Sequence, residues 1–570
     1  MPHFLLILMI TLLLSAHGFA SGVQAISRAS ACDQTFPEGL AAQAGPTRWT
    51  VCQLIENARL DDLEWSEFQD YREQAHQFYS PQRYALAWIS GDQPTSQARA
   101  MIAFFQHADF KGLDPRDYDA MRWESRLKEL ATAGGRPLDE KLVHFDLALT
   151  VSALRYISDL HNGRVSPASF QFGLAAKSFD AAEFLRSRLL GSTDTGAILE
   201  EIEPRFAGYR RTAQAFEHYL ALANEGEGTP IPIPTFPLKA GDTYAGIPQL
   251  AERLQGLGDL APDAVLPKRP DLYGGALAVA VKHFQQRHGL NPDGRLTQET
   301  YDELITPFSD RATQLQFTLE RFRWLPAKVD SPLIVVNIPE FRLRAYEDHR
   351  IVLTMRAIVG EAFEHQTPIF ADQMEALVFR PYWNVPESIA KRELVGELKR
   401  HPRYLATHDM QVVDGRGNVI TADRVDAKTL KRLEAGTLML QQQPGPANAL
   451  GLVKFVFPNQ YGIYMHGTPE AGLFGRARRD LSHGCIRVEN SAALAAWVLR
   501  DDPAWTLERV IAVMHGEESI TVRLPHAVPI LIVYGTAVVE ENNEVHFFKD
   551  IYGFDATLQA ALEQRHEGRR

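Results

Sequence analysis

The chain has 570 residues, 45% of them hydrophobic and 23% charged, with a formal net charge of −12. That length exceeds what one hydrophobic core supports, and the composition is that of folded globular domains, which excludes wholesale disorder and collagen-like repeats. The acidic balance, with no long basic run, gives no electrostatic footing for nucleic acid or for an anionic membrane surface.

In chain order, residues 1–25 read as a secretory signal. The run FLLILMITLLL at 4–14 is followed by small residues and by candidate cleavage points after Ala20 and Ala25. No Lys or Arg precedes the run, so an uncleaved inner-membrane anchor is the alternative. The run is short against the ~20 residues of a spanning helix. Cysteine usage fits export: Cys32 and Cys52 lie close together and would pair in an oxidising compartment or stay as two surface thiols, leaving Cys485 over.

Residues 46–225 read as a helical scaffold. Apolar residues recur at helical spacing over 146–160, and Asn162-Gly163 stops that helix. The proline-rich stretch GEGTPIPIPTFP at 226–237 is a semi-rigid linker. Residues 238–308 form a small helical module. Its helix ends near Gly289, with Phe284 and Leu290 as core residues and His288 as a helix-end cap, and Asn291-Pro-Asp-Gly294 is a turn.

From Pro332 the hydrophobic period becomes two. Strands are expected at 333–338, 341–346 and 351–359, with a hairpin turn at 347–350. Phe341, Leu343 and Ala345 alternate with Arg342, Arg344 and Tyr346, which predicts one buried face and one wet face. Residues 386–436 read as a helical insertion placed like a lid. Strands are expected again near Leu452, at 461–465, 510–514, 520–524 and 529–539. The fold class is therefore multi-domain α+β: a helical scaffold, a small helical module and an all-β domain at 330–555 carrying a helical lid insertion.

The chemistry concentrates in Tyr464-Met-His466-Gly467-Thr-Pro and Leu481-Ser482-His483-Gly484-Cys485-Ile-Arg487. A thiol reacts as thiolate, and its free pKa of about 8.5 calls for a base or cation beside it. His466 and His483 are the candidates. His483 would share a side with Cys485 in an extended segment, and His466 would reach it through strand pairing. Backbone N–H groups of His483, Gly484 and Cys485 could form an oxyanion hole, in which one donor is worth about 3–4 kcal/mol. The Arg487 guanidinium suits a substrate carboxylate. Zinc uses the same residue types, but no C-x-x-C or H-x-x-x-H spacing joins them, so neither metal nor cofactor is expected.

H-G-T-P followed by S-H-G-C-I-R-V closely resembles the L,D-transpeptidase catalytic domain. Thr318–Pro326, Val336–Leu343, Thr367-Pro368, Trp383–Ile389, Asn448–Gly451 and Asp550–Gly553 resemble its large multi-domain Gram-negative subfamily. So do Gly112–Tyr118 and Arg155–Pro167 in the scaffold. Val281, Phe284, Gln285, His288, Gly289, Leu290, Asp293, Gly294 and Thr300 resemble a peptidoglycan-binding domain.

The resemblance implies Cys485 as nucleophile, His466 as base and the Gly467 carbonyl orienting that ring. It further implies His483 and Gly484 as oxyanion donors, with Arg487, Tyr464, Trp383 and Ser482 at the substrate. The implied reaction is 3→3 cross-linking of peptidoglycan tetrapeptide stems, donor and acceptor, in the periplasm. Carbapenems would acylate the same cysteine, and cell-wall synthases would be partners. Water as acceptor would make the protein an L,D-carboxypeptidase, a protein amine would make it a lipoprotein-anchoring enzyme, and a silent site would leave a wall-binding scaffold.

Overall fold

The computed structural model describes Cys32 and residues 46–567, except 133, 171, 176, 267–268, 327–330 and 402. The expected signal at 1–25 lies outside the described residues. Cys32 and Cys52 form a disulfide, buried in the scaffold core.

The scaffold is built around helix α1 (Arg136–Asn162). Leu147, Val151, Leu154 and Ile157 follow helical spacing and are fully buried. Gly163 ends the helix with φ +86°, and a Cβ there would lie 2.7 Å from the Glu320 carboxylate and 2.8 Å from the Trp324 indole nitrogen. Only glycine lets the two elements approach that closely.

Glu320 and Trp324 belong to α4 (Phe308–Trp324), introduced after α2 (Ala207–Glu225) and α3 (Ala276–Arg287). Helix α4 bonds the scaffold and the C-terminal part of the chain. Gln316 donates to the Gly112 carbonyl at 3.0 Å, and Glu320 accepts from the Val165 N–H at 3.1 Å. Gln314 donates to the Phe548 carbonyl at 3.2 Å, and Arg321 pairs with Asp555. Its buried residues Phe308, Ala312, Leu315 and Leu319 share a core with Tyr209, Phe216 and Tyr219 of α2.

The small module explains its own motif. Gln285 is buried, accepts from the Gly294 N–H at 2.8 Å, and donates to the Arg295 carbonyl at 2.8 Å and to the Thr300 hydroxyl at 3.0 Å. Phe284 and Leu290 are core residues. His288 closes the helix through its backbone, but its ring is no polar cap. It is buried and stacks on Phe284 at 3.9 Å and against Phe547. Arg287 donates to the Val545 carbonyl at 2.8 Å. The His288-Gly289 end of the motif therefore packs against the C-terminal part of the chain.

The C-terminal domain contains β1 (Leu333–Asn337), β2 (Arg342–Glu347), β3 (Arg350–Gly360) and β4 (Phe370–Phe379). Within the insertion lie β6 (Met410–Val413) and β7 (Val419–Thr421), flanked by β5 (Trp383–Asn384) and β8 (Met439–Gln442). They are followed by β9 (Val453–Val456), β10 (Met465–His466), β11 (Asp480–Ser482), β12 (Ile486–Val488) and β13 (Ile520–Val533). The main sheet runs β11-β3-β12-β10-β9-β4-β13-β1-β2 and returns on itself because β2 also pairs with β3.

Several expectations change in detail. The insertion is not purely helical: β5 to β8 form a separate four-stranded sheet, order β5-β8-β6-β7, around its own core of Val412, Leu433 and Leu440. The stretch expected as a strand at 510–514 lies in the helix Leu507–Met514, because Thr506 caps it and Val510, Val513 and Met514 are buried at helical spacing. The strand expected at 461–465 is only β10. The preceding residues loop around Asn459, whose side chain bonds Phe457, Tyr461 and Ile463. The strand at 529–539 ends at Val533, and Ala537–Val539 forms a separate hairpin.

The wet face of β2 is not wet at Arg344, which is buried against Glu340 at 2.6 and 2.7 Å. Burial pushes the Glu340 carboxyl up, but Arg344, Arg342 and Asn337 more than offset this and hold it below its ordinary 4.5. Its stabilising contribution is complete above that value and is lost as pH falls through the depressed one. Glu340→Ala, which leaves buried Arg344 with Glu540 alone, is expected to destabilise the domain by up to about 3–5 kcal/mol in urea unfolding. An unchanged midpoint would refute a structural role for the pair.

Candidate active site

Two short strands bring the distant motifs together. β10 pairs with β12 in parallel, with His466 opposite Arg487 and Met465 opposite Ile486, so the residue before β12, Cys485, continues the register opposite Tyr464, on the strand that carries His466. Cys485 is half-buried and is the free cysteine of the described residues.

The turn before the sulfur is tightly held. Gly484 has φ +106°, a conformation that penalises any side chain. Its carbonyl accepts from the Thr367 hydroxyl at 2.7 Å, and that hydroxyl accepts from the Gly360 N–H at 2.9 Å. Tyr552 donates to the Gly360 carbonyl at 2.6 Å and accepts from the Thr367 N–H at 3.1 Å. A Cβ on Gly360 would overlap the His365 carbonyl at 1.8 Å.

Ser482, expected at the substrate, is instead buried. Its hydroxyl donates to the Cys485 carbonyl at 2.6 Å and accepts from the Gly484 N–H at 3.2 Å. The Gly484 amide is thus engaged inside the turn. Among the described residues the amides of His483 and Cys485 have no protein acceptor, which leaves those two as candidate oxyanion donors.

Among the described residues, the groups acting on the sulfur are the Tyr464 amide and hydroxyl, Lys454 and Arg487. Burial pushes the thiol up, and these groups pull the other way. Tyr464 is itself raised, first by burial and then by the neighbouring sulfur. The Tyr464 and His466 rings lie 5.7 Å apart.

The His466 ring is 5% exposed, and its Nδ1 donates to the Gly467 carbonyl at 2.6 Å, which leaves the other nitrogen of the neutral ring unprotonated. Burial, then the Arg487 charge, push this imidazole down to about 3. The His483 ring faces the insertion. It meets Glu393 of the insertion at 2.7 Å and lies 4.8 Å from the His365 ring.

Arg487 donates from Nη1 to Glu470 at 2.6 Å, while its Nε is buried with no partner among the described residues. Trp383 packs against the core of the insertion. Sequence reasoning gave no role to two contributors, Thr367, noted only within a matching stretch, and Lys454. Thr367 holds the Gly484 turn from a distant loop, and Lys454 acts on the sulfur from β9, opposite His466 in register.

The model of the "L,D-transpeptidase catalytic domain" family matches residues 331–511, the stretch that carries all of these groups except Tyr552. The C-terminal domain belongs to the L,D-transpeptidase family. A "Scaffold domain" model matches residues 73–216, and a "Putative peptidoglycan binding domain" model matches 243–304.

A protein of Haemophilus influenzae named "Putative L,D-transpeptidase" is 32% identical over 253 residues, covering 44% of this chain and 50% of the relative. The chain therefore spans about half the length of that relative. The crystal structure of an L,D-transpeptidase from Xylanimonas cellulosilytica is 18% identical with a TM-score of 0.17, covering 54% of this chain and 100% of that one. One from Stackebrandtia nassauensis is 13% identical with a TM-score of 0.20, covering 53% and 97%. At such scores these structural likenesses carry no argument about the L,D-transpeptidase site.

A neutral His466 is testable without substrate. With selectively labelled histidine rings, and the His466 signal assigned by its loss in His466→Gln, no titration is expected between about pH 5 and 8, the window of ordinary histidines. A midpoint near about 6.5 would contradict the account of its burial.

Proposed function

We propose that the protein is an exported L,D-transpeptidase that joins peptidoglycan tetrapeptide stems by 3→3 cross-links through a thioester on Cys485. The observation that carries this reading is the half-buried sulfur at the end of the pinned Gly484 turn, beside Tyr464 and the parallel strand bearing His466.

In the first step the Cys485 sulfur attacks the carbonyl of the third stem residue, an L-centre of meso-diaminopimelate. The S–C bond forms and the C–N bond to the terminal D-Ala breaks. His466 takes the thiol proton on its free nitrogen and passes it to the departing amine. A strongly depressed imidazole suits this transient task, because it does not retain the proton. The His483 and Cys485 amides stabilise the tetrahedral oxyanion, and Arg487, with its unused Nε–H, receives a donor carboxylate in exchange for Glu470.

In the second step the side-chain amine of an acceptor stem attacks the thioester. The C–N bond forms, the C–S bond breaks, and the amine's proton returns to sulfur through His466. A secretory signal at 1–25 would put this chemistry in the periplasm, cell-wall synthases are the expected partners, and carbapenems would acylate Cys485 in place of the donor stem.

Protein lacking residues 1–25, incubated with disaccharide tetrapeptides and read by mass spectrometry, is expected to yield dimers that have lost one D-Ala. Tripeptide monomers alone would replace this reading with carboxypeptidase activity, and unreacted substrate with no carbapenem adduct would leave a wall-binding scaffold. Cys485→Ala abolishes turnover, and His466→Ala lowers acylation by about 10²–10⁴-fold at neutral pH, the usual contribution of one positioned acid–base group. Arg487→Ala weakens donor use with little effect on folding.

A further inference from the structure

We propose that Lys454 supplies the positive charge that lets the Cys485 sulfur ionise, with the Tyr464 ring as the joint that holds its ammonium in place. The proposal rests on reading Cys485 as the nucleophile and divides the labour at that site: His466 moves the proton, and Lys454 carries the counter-charge.

The geometry is specific. Lys454 stands on β9 opposite His466, and its ammonium lies 3.8 Å from the centroid of the Tyr464 ring. That cation–π contact fixes an otherwise flexible side chain. The same Tyr464 adjoins the sulfur, because Cys485 continues the β12 register opposite it, and its amide and hydroxyl pull the thiol down. Lys454 is half-buried, and among the described residues no carboxylate pairs with it. A partly desolvated ammonium without an anion is costly, so a site that keeps one has a use for it. The thiolate is the available anion. The dependence runs both ways: burial pushes the ammonium down and the sulfur charge pulls it back up, while burial pushes the thiol up and Lys454 pulls it down.

The other charged groups around the sulfur are committed or unsuited. From β12, Arg487 faces it but is bonded to Glu470. From β10, His466 is buried and neutral, and its protonated form is opposed by both Arg487 and Lys454. From the turn, His483 is held by Glu393 of the insertion, with His365 of the neighbouring loop beside it. Tyr464 donates hydrogen bonds but carries no charge. An imidazolium is therefore a poor standing partner for the thiolate here, whereas the charge of the lysine on the adjacent strand is favoured by the sulfur beside it. On ionisation the S–H bond breaks, the proton leaves through His466 or water, and the electron pair stays on sulfur beside the ammonium, with no redox change.

The test is the pH dependence of Cys485 alkylation by iodoacetamide, followed by intact mass in the same purified protein. Only one thiol is free, so one adduct reports it. Lys454→Met and Lys454→Gln, each checked for folding by circular dichroism, are expected to raise the alkylation midpoint by about one pH unit and to slow labelling near neutrality about tenfold. Lys454→Arg is expected to stay near wild type. A wild-type midpoint in either folded neutral variant overturns the proposal, as does an arginine variant shifted as far as the neutral ones. Because no peptidoglycan enters this assay, its outcome is independent of whether stem dimers form. Dimers without an alkylation shift would sink Lys454 alone, and a shift without dimers would sink the substrate assignment alone.

Discussion

The active centre depends on a short parallel pairing. β10 and β12 are 2 and 3 residues long, yet their register sets which side of the sheet His466, Tyr464, Cys485 and Arg487 occupy. Side chains alternate across a strand, so a slip of one residue would send the histidine and the arginine to the opposite face. The neighbours prevent that slip. β9 and β4 hold β10 from one side, and β3, wrapping from β2 to β12, holds the other. Beyond the pairing, Thr367, Gly360 and Tyr552 hold the Gly484 turn, so the sulfur sits on a backbone already in its working shape. In the reaction proposed above, preorganisation of this kind would spare the entropy of arranging donors at the moment of attack.

The rest of the molecule converges on α4. A single helix whose side chains bond the scaffold, the C-terminal hairpin and the final helix makes the parts interdependent. The small module shares in this, because the end of its motif packs on Phe547 and Phe548. Part of what reads from sequence as a wall-binding motif is thereby used as internal packing.

Electrostatics at the site follow from burial first and charge second. Low polarisability around His466 disfavours its cation, and two neighbouring cations deepen that effect. The same low dielectric strengthens whatever charge pairs remain, as with Glu340 and Arg344 elsewhere in the domain. Near Cys485 it makes the identity of the counter-charge a matter of strand register rather than of sequence proximity.

Much of the fold was legible in the chain itself. Helical spacing marked α1, period-two alternation marked β1 to β3, and the clustered Cys, His, Gly and Arg of two motifs marked the site, because these are local properties of spacing and residue type. What misled was equally local. The β-branched run ending at Met514 looked like a strand until a threonine cap made it a helix, and Arg344 looked wet until Glu340 was found beside it. Ser482 looked like a substrate contact, whereas its hydroxyl locks the turn. Sequence by itself determined which chemical groups the protein brings to a thiol site. Only the tertiary structure decided that Lys454 and Thr367 belong to that site and that His483 turns toward the insertion, because those relations arise from the pairing of strands and loops far apart in the chain, which no local pattern encodes.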